Sequence, residues 1–303
     1  MSDKGKIKIQ AQTVLYANEY RFIKRSLIYL ANAVTFASKN GLEMELSVVW
    51  GDASEAPLLS SKEIDLIADE FGEAFSFHYI FFNRNTGTSY GHNRMGLESN
   101  ADYLLIMNPD VVVQPNFFIE MLYPFLQDVH NTIGIVEARQ TPIEHHKEYD
   151  IITGETSWGS GACTLFRTKA FQEVKGYDEN TFFMYCDDVD VSWRIRLNGY
   201  KVIYRPSAVV FHDKRLDDHG KWSSTKAERK YSIEARLLMA WKWCYPEILR
   251  DLIHQLENED SEESHFALER FVARKNKGEL PQQIDPEHRI GDLTELDYGP
   301  MRF

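Results

Sequence analysis

Cysteine is scarce in this sequence, and the three that occur, Cys163, Cys186 and Cys244, lie far apart. An odd number of separated cysteines fits neither a disulfide framework nor a cysteine-rich metal site, so we expect reduced thiols in a cytoplasmic protein. Long apolar runs are absent too, since none approaches the ~18 residues of a membrane-spanning helix. The polar start MSDKGKIKI has no apolar segment after its charges, so we expect no signal peptide.

Basic residues are in deficit: 34 Lys and Arg stand against 46 Asp and Glu, for a net charge of −12. Such a chain has no cationic excess to neutralise phosphates, which argues against a nucleic-acid partner. Glycine-rich phosphate loops are missing as well, because the first predicted strand is followed by YANEYRF and neither G-x-G-x-x-G nor G-x-x-x-x-G-K-[ST] occurs. This absence disfavours a nicotinamide-dependent oxidoreductase and a sugar nucleotidyltransferase.

The chain is instead rich in apolar residues, 43% of the total, as a globular protein of one large domain with an appendage would be. Its first half alternates strand-like and helix-like patterns. Strands are predicted at 7–16, 42–50, 75–82 and 102–108, and helices at 21–37, 61–75 and 91–100. This order indicates an α/β fold with a mostly parallel central sheet and helices on both faces. Ligands of such sheets bind at the carboxyl ends of strands, here 15–18, 50–52, 83–87 and 108–110.

The second half of the sequence has a different pattern of predicted elements. A strand at 158–166, a short helix and two strands at 201–204 and 208–211 complete a domain of residues 1–215. Residues 216–303 form a predicted C-terminal helical region with an extended tail. Within it, 228–256 reads as two helices broken before Pro246, 258–264 as an acidic loop and 276–303 as a loosely packed arm.

Two separated residues could hold a metal. Asp110 ends a buried strand, where a carboxylate can bind Mg²⁺ or Mn²⁺, or can merely cap a helix starting near Gln114. His212 follows a short apolar strand, where imidazole can bind Mn²⁺ or serve only the structure.

Three carboxylates crowd the stretch FFMYCDDVDVSWR at 182–194. Helix chemistry accounts for two of them, with Asp187 as the N-cap and Asp190 completing a capping-box-like pair. Asp188 is left over and is free to face a cleft, because adjacent helical residues point about 100° apart. The alternative is that all three are acids favoured at a helix start by its dipole.

The order of these pieces resembles the family 2 glycosyltransferases with the GT-A fold, especially the rhamnosyltransferase-like branch. The resemblance lies in N-P-D at 108–110, W-G-S-G-A at 158–162, the segment GYDENTFFMYCDDVDVSWR at 176–194 and GYKVIYRPSAVVFH at 199–212. Two N-x-G-type signals, Asn85-Thr86-Gly87 and Asn93-Arg94-Met95-Gly96, precede them. The match covers about residues 8–213. It implies a nucleotide-sugar-binding half at 8–112 and an acceptor-binding half at 113–215.

The resemblance also implies roles for single residues. Asp188 matches the family's catalytic base, and Asp187 stands where the family often has Glu; if the base were the first acid of the pair, it would be Asp187. Asp110 and His212 match the ligands of Mn²⁺ or Mg²⁺, with Asn108 in place of an acid. The donor nucleotide would contact Thr13, Tyr16, Asn18, Asp52, Asn85, Gly87, Asn93, Asn108 and Asp110. The acceptor wall would include Trp158, Gly159, Phe182 and Tyr185, although core packing is the alternative for its aromatic residues.

The implied function is inverting transfer of a sugar from a nucleotide-diphosphate sugar, dTDP-rhamnose or a UDP-sugar, to a hydroxyl of a glycan or lipid-linked glycan in bacterial surface polysaccharide synthesis. The alternatives are a catalytically inactive nucleotide- or glycan-binding relative and a sugar nucleotidyltransferase. Trp241, Trp243 and Tyr245 beside basic residues are typical of a membrane-surface helix. They predict peripheral contact with the inner face of the plasma membrane; packing on the catalytic domain or a homodimer through the C-terminal helices are the alternatives.

Overall fold

The computed structural model of the chain describes residues 5–144, 148–213 and 224–293. In these residues nine strands form one sheet in the order β3-β2-β1-β4-β8-β6-β9-β5, with β7 paired to β9. The strands are β1 Ile7–Leu15, β2 Met44–Asp52, β3 Ser76–Phe81, β4 Tyr103–Met107, β5 Val111–Val113, β6 Ile133–Thr141, β7 Glu155–Thr156, β8 Cys163–Arg167 and β9 Lys201–His212. The helices are α1 Tyr20–Lys39, α2 Ser61–Phe71, α3 Gly87–Gly96, α4 Phe117–Gln127, α5 Thr168–Glu173, α6 Asp187–Leu197, α7 Lys226–Lys242, α8 Pro246–Glu257 and α9 Glu262–Lys277.

The predicted α/β class is confirmed. Strands β3, β2, β1 and β4 are parallel, and the sheet continues as a mixed half in which β4–β8 and β6–β8 are antiparallel and β6–β9 is parallel. Strand β4 is buried along its whole length because helices cover both faces of the sheet. The carboxyl ends of β1, β2 and β4 therefore meet at one edge, which the second half of the chain closes.

Local sequence explains where the helices begin. Helix α2 starts at a capping box in which the Ser60 hydroxyl accepts the Glu63 N–H and the Glu63 carboxylate accepts the Ser60 N–H. Helix α7 repeats the arrangement with Thr225 and Glu228. Helix α1 has no such cap; it buries an apolar stripe at helical spacing, Ile23, Leu27, Leu30, Ala33 and Ala37, against the sheet.

Strand β9 is one strand rather than the two that the sequence predicts. Its pairing with β6 jumps from Arg205 opposite Ala138 to Val209 opposite Arg139, so residues 206–208 bulge without partners on β6. Pro206 lies in the bulge, where its missing N–H removes no ladder hydrogen bond. After the bulge β9 pairs with β6 again and ends at His212.

The C-terminal region is more ordered than predicted. The predicted acidic loop 258–264 is shorter, because α9 begins at Glu262 with Ser261 as its N-cap. The tail is not a loose arm over its described residues: Ile284, Ile290 and Leu293 pack on the core formed by α6 to α9. The Asp285 carboxylate accepts the N–H groups of residues 289–291 and closes this segment into a loop. Residues 294–303 lie outside the described part of the chain.

The three aromatic residues proposed for a membrane surface face the protein instead. Trp243 is fully buried and packs edge-on against Trp193 with ring centroids 4.9 Å apart. The Trp241 indole N–H donates to the Pro281 carbonyl at 3.0 Å, and the Tyr245 hydroxyl donates to the Gly291 carbonyl at 2.6 Å. The packing alternative is therefore correct for these residues. Among the described helices, none combines the length and hydropathy needed to cross a membrane.

Candidate active site

The candidate site lies where β4 and β9 end and α6 begins. The segment between β7 and β8 links these elements: the Ala162 carbonyl accepts the Asn108 N–H at 2.9 Å, and the Gly161 N–H donates to Asp188 Oδ2 at 3.0 Å. One residue earlier, the Ser160 hydroxyl accepts from the Gln140 side chain at 3.0 Å. Three consecutive residues of the W-G-S-G-A motif therefore contact three parts of the site.

Asp187 is buried, with 8% of its surface exposed. Its Oδ2 accepts hydrogen bonds from the hydroxyls of Thr88 (2.8 Å) and Ser89 (3.0 Å), both on α3. Burial and, second to it, the negative charge of Asp188 raise the pKa of Asp187 to about 6, while the two hydroxyl donors oppose the shift. Asp187 therefore takes up a proton much nearer to neutral pH than an ordinary carboxyl does.

Asp188 is half-buried and reaches the other side of the helix start. Its Oδ1 accepts the Val189 N–H at 2.9 Å and its Oδ2 accepts the Gly161 N–H. A carboxylate held by two backbone donors and still open to solvent can accept a further proton or hydrogen bond, as a general base must.

The predicted capping pair is wrong. The N-cap of α6 is Cys186, in the left-handed conformation at φ 57°, and no side chain caps the helix. Asp190 instead lies fully buried beneath the helix start. It accepts from Arg194 at 2.7 Å and from the Trp243 indole at 3.1 Å, and it pairs with Lys242 at 2.6 Å. Burial would raise the pKa of Asp190, but the positive charges of Arg194 and Lys242 outweigh it and hold the pKa below its ordinary value.

The proposed metal ligands Asp110 and His212 do come together. His212 is 7% exposed and its Nε2 lies 3.3 Å from Asp110 Oδ1. Its Nδ1 lies 2.9 Å from Gln140 Oε1, which can only accept, so this hydrogen bond places a proton on Nδ1, and Nε2 is the ring nitrogen that faces Asp110. The Asn108 amide lies 3.4 Å from the same Nε2. Helix α4 starts only at Phe117 with Asn116 as its N-cap, so the capping alternative for Asp110 is wrong.

An imidazole nitrogen beside a half-exposed carboxylate fits a divalent cation such as Mn²⁺. In the described part of the chain no group of three or more His, Cys, Asp or Glu side chains could hold a metal ion. Two protein ligands suffice only when a bound molecule supplies further oxygens, as a diphosphate does.

Asp52 does not face the site. It is fully buried, and its oxygens accept from the N–H groups of Ser54 (2.9 Å) and Leu58 (2.8 Å) and from the Tyr79 hydroxyl. A carboxylate with three protein donors and no exposure cannot contact a nucleobase directly, so that predicted role does not fit. Asp52 instead shapes the loop after β2, and its hydrogen bond, together with burial, raises the pKa of Tyr79.

The loop after β1 does offer exposed groups. Tyr16 is half-exposed, its N–H donates to Asn18 Oδ1 at 2.9 Å, and the Ala17 N–H donates to the Ser54 hydroxyl. Thr13 lies three residues before Tyr16, near the carboxyl end of β1, and is buried. The predicted nucleoside contacts of Tyr16 and Asn18 thus remain open to a ligand, whereas Thr13 lies beneath them.

The two N-x-G-type signals have different positions. Asn85 is exposed and its side chain accepts the Gly87 N–H, while Gly87 has φ +67° and lies against the Phe183 carbonyl. Asn93 is buried: its amide accepts the Tyr177 N–H (2.8 Å), and donates to the Tyr177 carbonyl (2.8 Å) and to Glu179 (2.7 Å). The predicted nucleotide contact of Asn93 is therefore wrong, since its amide clamps the segment that leads to α6.

The residues of the predicted acceptor wall differ in how far they are exposed. Phe182 is 1% exposed and belongs, with Trp193, to the core under α7, so the acceptor role of Phe182 is wrong. Trp158 is 7% exposed. The Gly159 N–H donates to the Ser192 hydroxyl, and Tyr185 is half-buried at φ 68°. Of the four, Tyr185 keeps a surface open to a ligand.

Sequence reasoning missed four residues that hold the site: Thr88, Ser89, Gln140 and Gly161. Each contacts a predicted functional residue through a hydrogen bond to a partner 27 to 99 positions away in sequence. The position of Gly161 within W-G-S-G-A was the signal that could have found it.

No protein-family model matches the chain. In sequence it is similar to the N-acetylglucosaminyl-diphospho-decaprenol L-rhamnosyltransferase of Mycobacterium tuberculosis, with 47% identity over 112 residues, 36% of this chain and 36% of the relative. In structure it is similar to GalNAc-T7 with UDP, GalNAc and Mn²⁺ (TM-score 0.60, 13% identity, 93% of this chain and 60% of that chain). The mannosyltransferase PcManGT from Pyrobaculum calidifontis, in complex with GDP-Man and Mn²⁺, is also similar (TM-score 0.55, 12% identity, 91% and 83%).

These likenesses confirm the GT-A fold and the resemblance to rhamnosyltransferase-like glycosyltransferases that the sequence predicts. The similarity to the curated relative spans only about a third of each chain, 36%.

Proposed function

We propose that this chain is an inverting glycosyltransferase that moves a sugar from a nucleotide-diphosphate sugar to a hydroxyl of a glycan acceptor. One observation carries the proposal. Residues 160–162 contact Gln140, which orients His212, and also contact Asp188 and Asn108. A potential proton acceptor and a potential cation site are therefore held by one tripeptide at the mouth of a GT-A sheet.

Asp188 is the proposed base. Its open carboxylate takes the proton of the acceptor hydroxyl as that oxygen forms its bond to the anomeric carbon. On the opposite face of the sugar, the bond from that carbon to the diphosphate oxygen breaks. Asp187 shares the helix start but is buried under two hydroxyl donors, so its proposed role is to hold α3 against α6 and to tune the charge beside Asp188.

Asp110 and His212 would hold Mn²⁺ or Mg²⁺ with the donor diphosphate. A divalent cation there offsets the charge that grows on the leaving nucleoside diphosphate. The hydrogen bond from His212 Nδ1 to Gln140 keeps the imidazole in the tautomer that such a cation needs. The Mn²⁺ bound in two structural relatives supports this choice of metal.

For the substrates, the sequence similarity supports a deoxyhexose donor. The relative is by name an L-rhamnosyltransferase acting on N-acetylglucosaminyl-diphospho-decaprenol. We therefore propose dTDP-rhamnose as donor, with UDP-sugars as the second choice, and a sugar-diphospho-lipid or related glycan as acceptor in bacterial surface polysaccharide synthesis. A cytoplasmic location, at the inner face of the plasma membrane, follows from such an acceptor.

The test compares Asp188→Asn with Asp65→Asn, an exposed aspartate on α2 that serves as control. Loss of a general base lowers turnover by about 10² to 10⁴. We expect that loss in Asp188→Asn alone, with wild-type stabilisation of both variants by dTDP or UDP and Mn²⁺ in thermal unfolding. Near-wild-type turnover of Asp188→Asn would refute the base. If no nucleoside diphosphate stabilises the wild-type chain, the inactive-relative alternative replaces the proposal.

A further inference from the structure

A cation-lined cavity of about 460 Å³ lies between α9 and the loop before α6. Its walls are Arg270, Ala273, Arg274, Lys277 and Glu279 on one side and Asn180 on the other. Three cations against one carboxylate are unusual in a chain with a net charge of −12. A cavity of this size and charge suits a small polar anion.

The buried carboxylate of Glu234 orients the guanidinium groups of Arg270 and Arg274. Glu234 is 3% exposed; its Oε2 accepts from Arg270 Nε at 2.8 Å, and its Oε1 lies 3.6 Å from Arg274 Nε. Both arginines therefore turn their Nε edges to one buried carboxylate. A guanidinium group held by its Nε edge keeps further N–H donors with which it can bind a phosphate.

Several donors at the cavity have no protein acceptor. Arg274 uses Nη1 on the carbonyls of Asn180 and Thr181. Within residues 5–144, 148–213 and 224–293, no hydrogen bond or ion pair engages the Nη groups of Arg270 or the ammonium group of Lys277. Arg270 instead lies over the rings of Tyr231 and Phe266, 5.9 and 5.3 Å from their centroids. The Nη groups of Arg270 and the ammonium group of Lys277 therefore have no acceptor among the described residues.

A chain of contacts connects the cavity to helix α6. The Tyr231 ring packs on Phe183 at a centroid distance of 4.6 Å. The Phe183 carbonyl accepts the Thr88 N–H at 3.1 Å, and the Thr88 hydroxyl donates to Asp187. Asn180, on the cavity wall, precedes Asp188 by only eight positions. Through Arg270, Tyr231, Phe183 and Thr88 these contacts link the cavity wall to Asp187.

We propose that this cavity binds a phosphate or diphosphate group carried by the acceptor. The assignment to the acceptor rests on the proposed function, which places the donor diphosphate at Asp110 and His212. The existence of an anion site at Arg270, Arg274 and Lys277 does not rest on it.

The first experiment measures binding of inorganic pyrophosphate to the full chain by calorimetry in EDTA, so that no divalent cation recruits it to Asp110. Four variants are compared with wild type: Lys277→Gln and Arg270→Gln in the cavity, Lys275→Gln as an exposed control on the same helix, and Asp110→Asn at the donor site. Losing one charge-assisted contact to phosphate weakens binding by about tenfold.

We expect the two cavity variants to bind pyrophosphate about tenfold more weakly, and Lys275→Gln and Asp110→Asn to bind it as wild type does. Lys277 is exposed and has no described partner, so its variant tests the site even if Arg270→Gln destabilises the fold. Equal affinity of wild type and Lys277→Gln, or no measurable pyrophosphate binding, overturns the proposal.

The second experiment assigns the source of the anion. With a phosphorylated and a phosphate-free acceptor bearing the same sugar, Lys277→Gln should raise the KM of the phosphorylated acceptor and leave the donor KM and kcat unchanged. A raised donor KM instead would assign the cavity to the donor and refute the acceptor assignment. If wild type transfers no sugar at all, the proposed function fails while the pyrophosphate result still decides the anion site.

Discussion

Lys242 joins the C-terminal helices to α6, the helix that carries the proposed base Asp188. Its side chain is 5% exposed, and its ammonium group lies 2.7 Å from Asp178 Oδ2 and 2.6 Å from Asp190 Oδ1. It also lies 5.4 Å from the centre of the Phe182 ring. One buried cation therefore ties α7 both to the loop before α6 and to α6 itself.

Replacing Lys242 by Met keeps an aliphatic side chain of similar length and removes the charge. Removing one partner of a buried ion pair costs about 3 to 5 kcal/mol because the other charge is left uncompensated. The cost should fall near the lower value here, since Asp190 keeps Arg194 and the Trp243 indole, and Asp178 keeps the Thr181 hydroxyl. We therefore expect Lys242→Met to lower the free energy of unfolding by about 3 kcal/mol.

Thermal unfolding measures this change. At roughly 2 to 4 °C per kcal/mol for a chain of this size class, the midpoint should fall by roughly 6 to 12 °C. Lys275→Met is the control, because Lys275 is exposed on α9 and its side chain has no described ion pair. Its midpoint should stay within about 1 °C of wild type, as surface substitutions usually do.

Adding Asp190→Asn to Lys242→Met tests the cause. If the cost comes from the uncompensated carboxylate, the neutral amide should recover part of the lost stability. A Lys242→Met chain that unfolds within about 1 °C of wild type would show that the buried pairs are not what holds α7 to α6. So would a double variant whose loss equals the sum of the single losses.

Three further predictions concern the site. Gln140→Leu removes the acceptor of His212 Nδ1–H and should weaken Mn²⁺ binding about 10- to 100-fold in a titration with nucleoside diphosphate present. Asp187→Asn should raise the unfolding midpoint at pH 7.5 but not at pH 4. The pKa of Asp187 in the folded protein, about 6, exceeds the ordinary value of 3.8, so the ionised carboxylate destabilises the fold above pH 6. This destabilisation disappears as the pH falls and the carboxylate takes up a proton. Gly87→Ala should lower the midpoint strongly, because a Cβ there would lie 2.2 Å from the Phe183 carbonyl oxygen at φ +67°.

Each of these has a matched comparison. Gln127→Leu, at an exposed position of α4, should leave Mn²⁺ binding unchanged, and equal affinity of both glutamine variants would contradict the orienting role. A midpoint gain of Asp187→Asn that is independent of pH would contradict the pKa argument. Gly199→Ala shares a positive φ of +87° but has open space, so equal losses at Gly87 and Gly199 would show that the contact with Phe183 costs nothing.

Much of the first half of the chain follows from local sequence. The strands that become β1 to β4 and the helices α1 and α2 were predicted from apolar periodicity, with ends within about four residues of those observed. Asp188, Asp110 and His212 were singled out from the order of short motifs, and the fold brings Asp110 and His212 within 3.3 Å of each other.

Other assignments could not be made from sequence, because residue type does not reveal the partner. Asn93 and Asp52 are polar residues beside a predicted site, yet the hydrogen bonds of both go to backbone and side-chain groups of the protein itself. Phe182 lies five residues before Asp187, yet its ring is buried and packs against the ammonium group of Lys242.

The amino-acid sequence by itself determined the element types, the absence of a glycine phosphate loop and the identity of the chemical groups, because these depend on residues close together in the chain. Only the tertiary structure decided which carboxylate of the D-D-V-D stretch is open to solvent, which has its pKa raised by burial and which forms buried ion pairs. Those differences arise from Thr88, Gly161 and Lys242, whose contacts span 27 to 99 positions of sequence and exist only after the sheet and the C-terminal helices have packed.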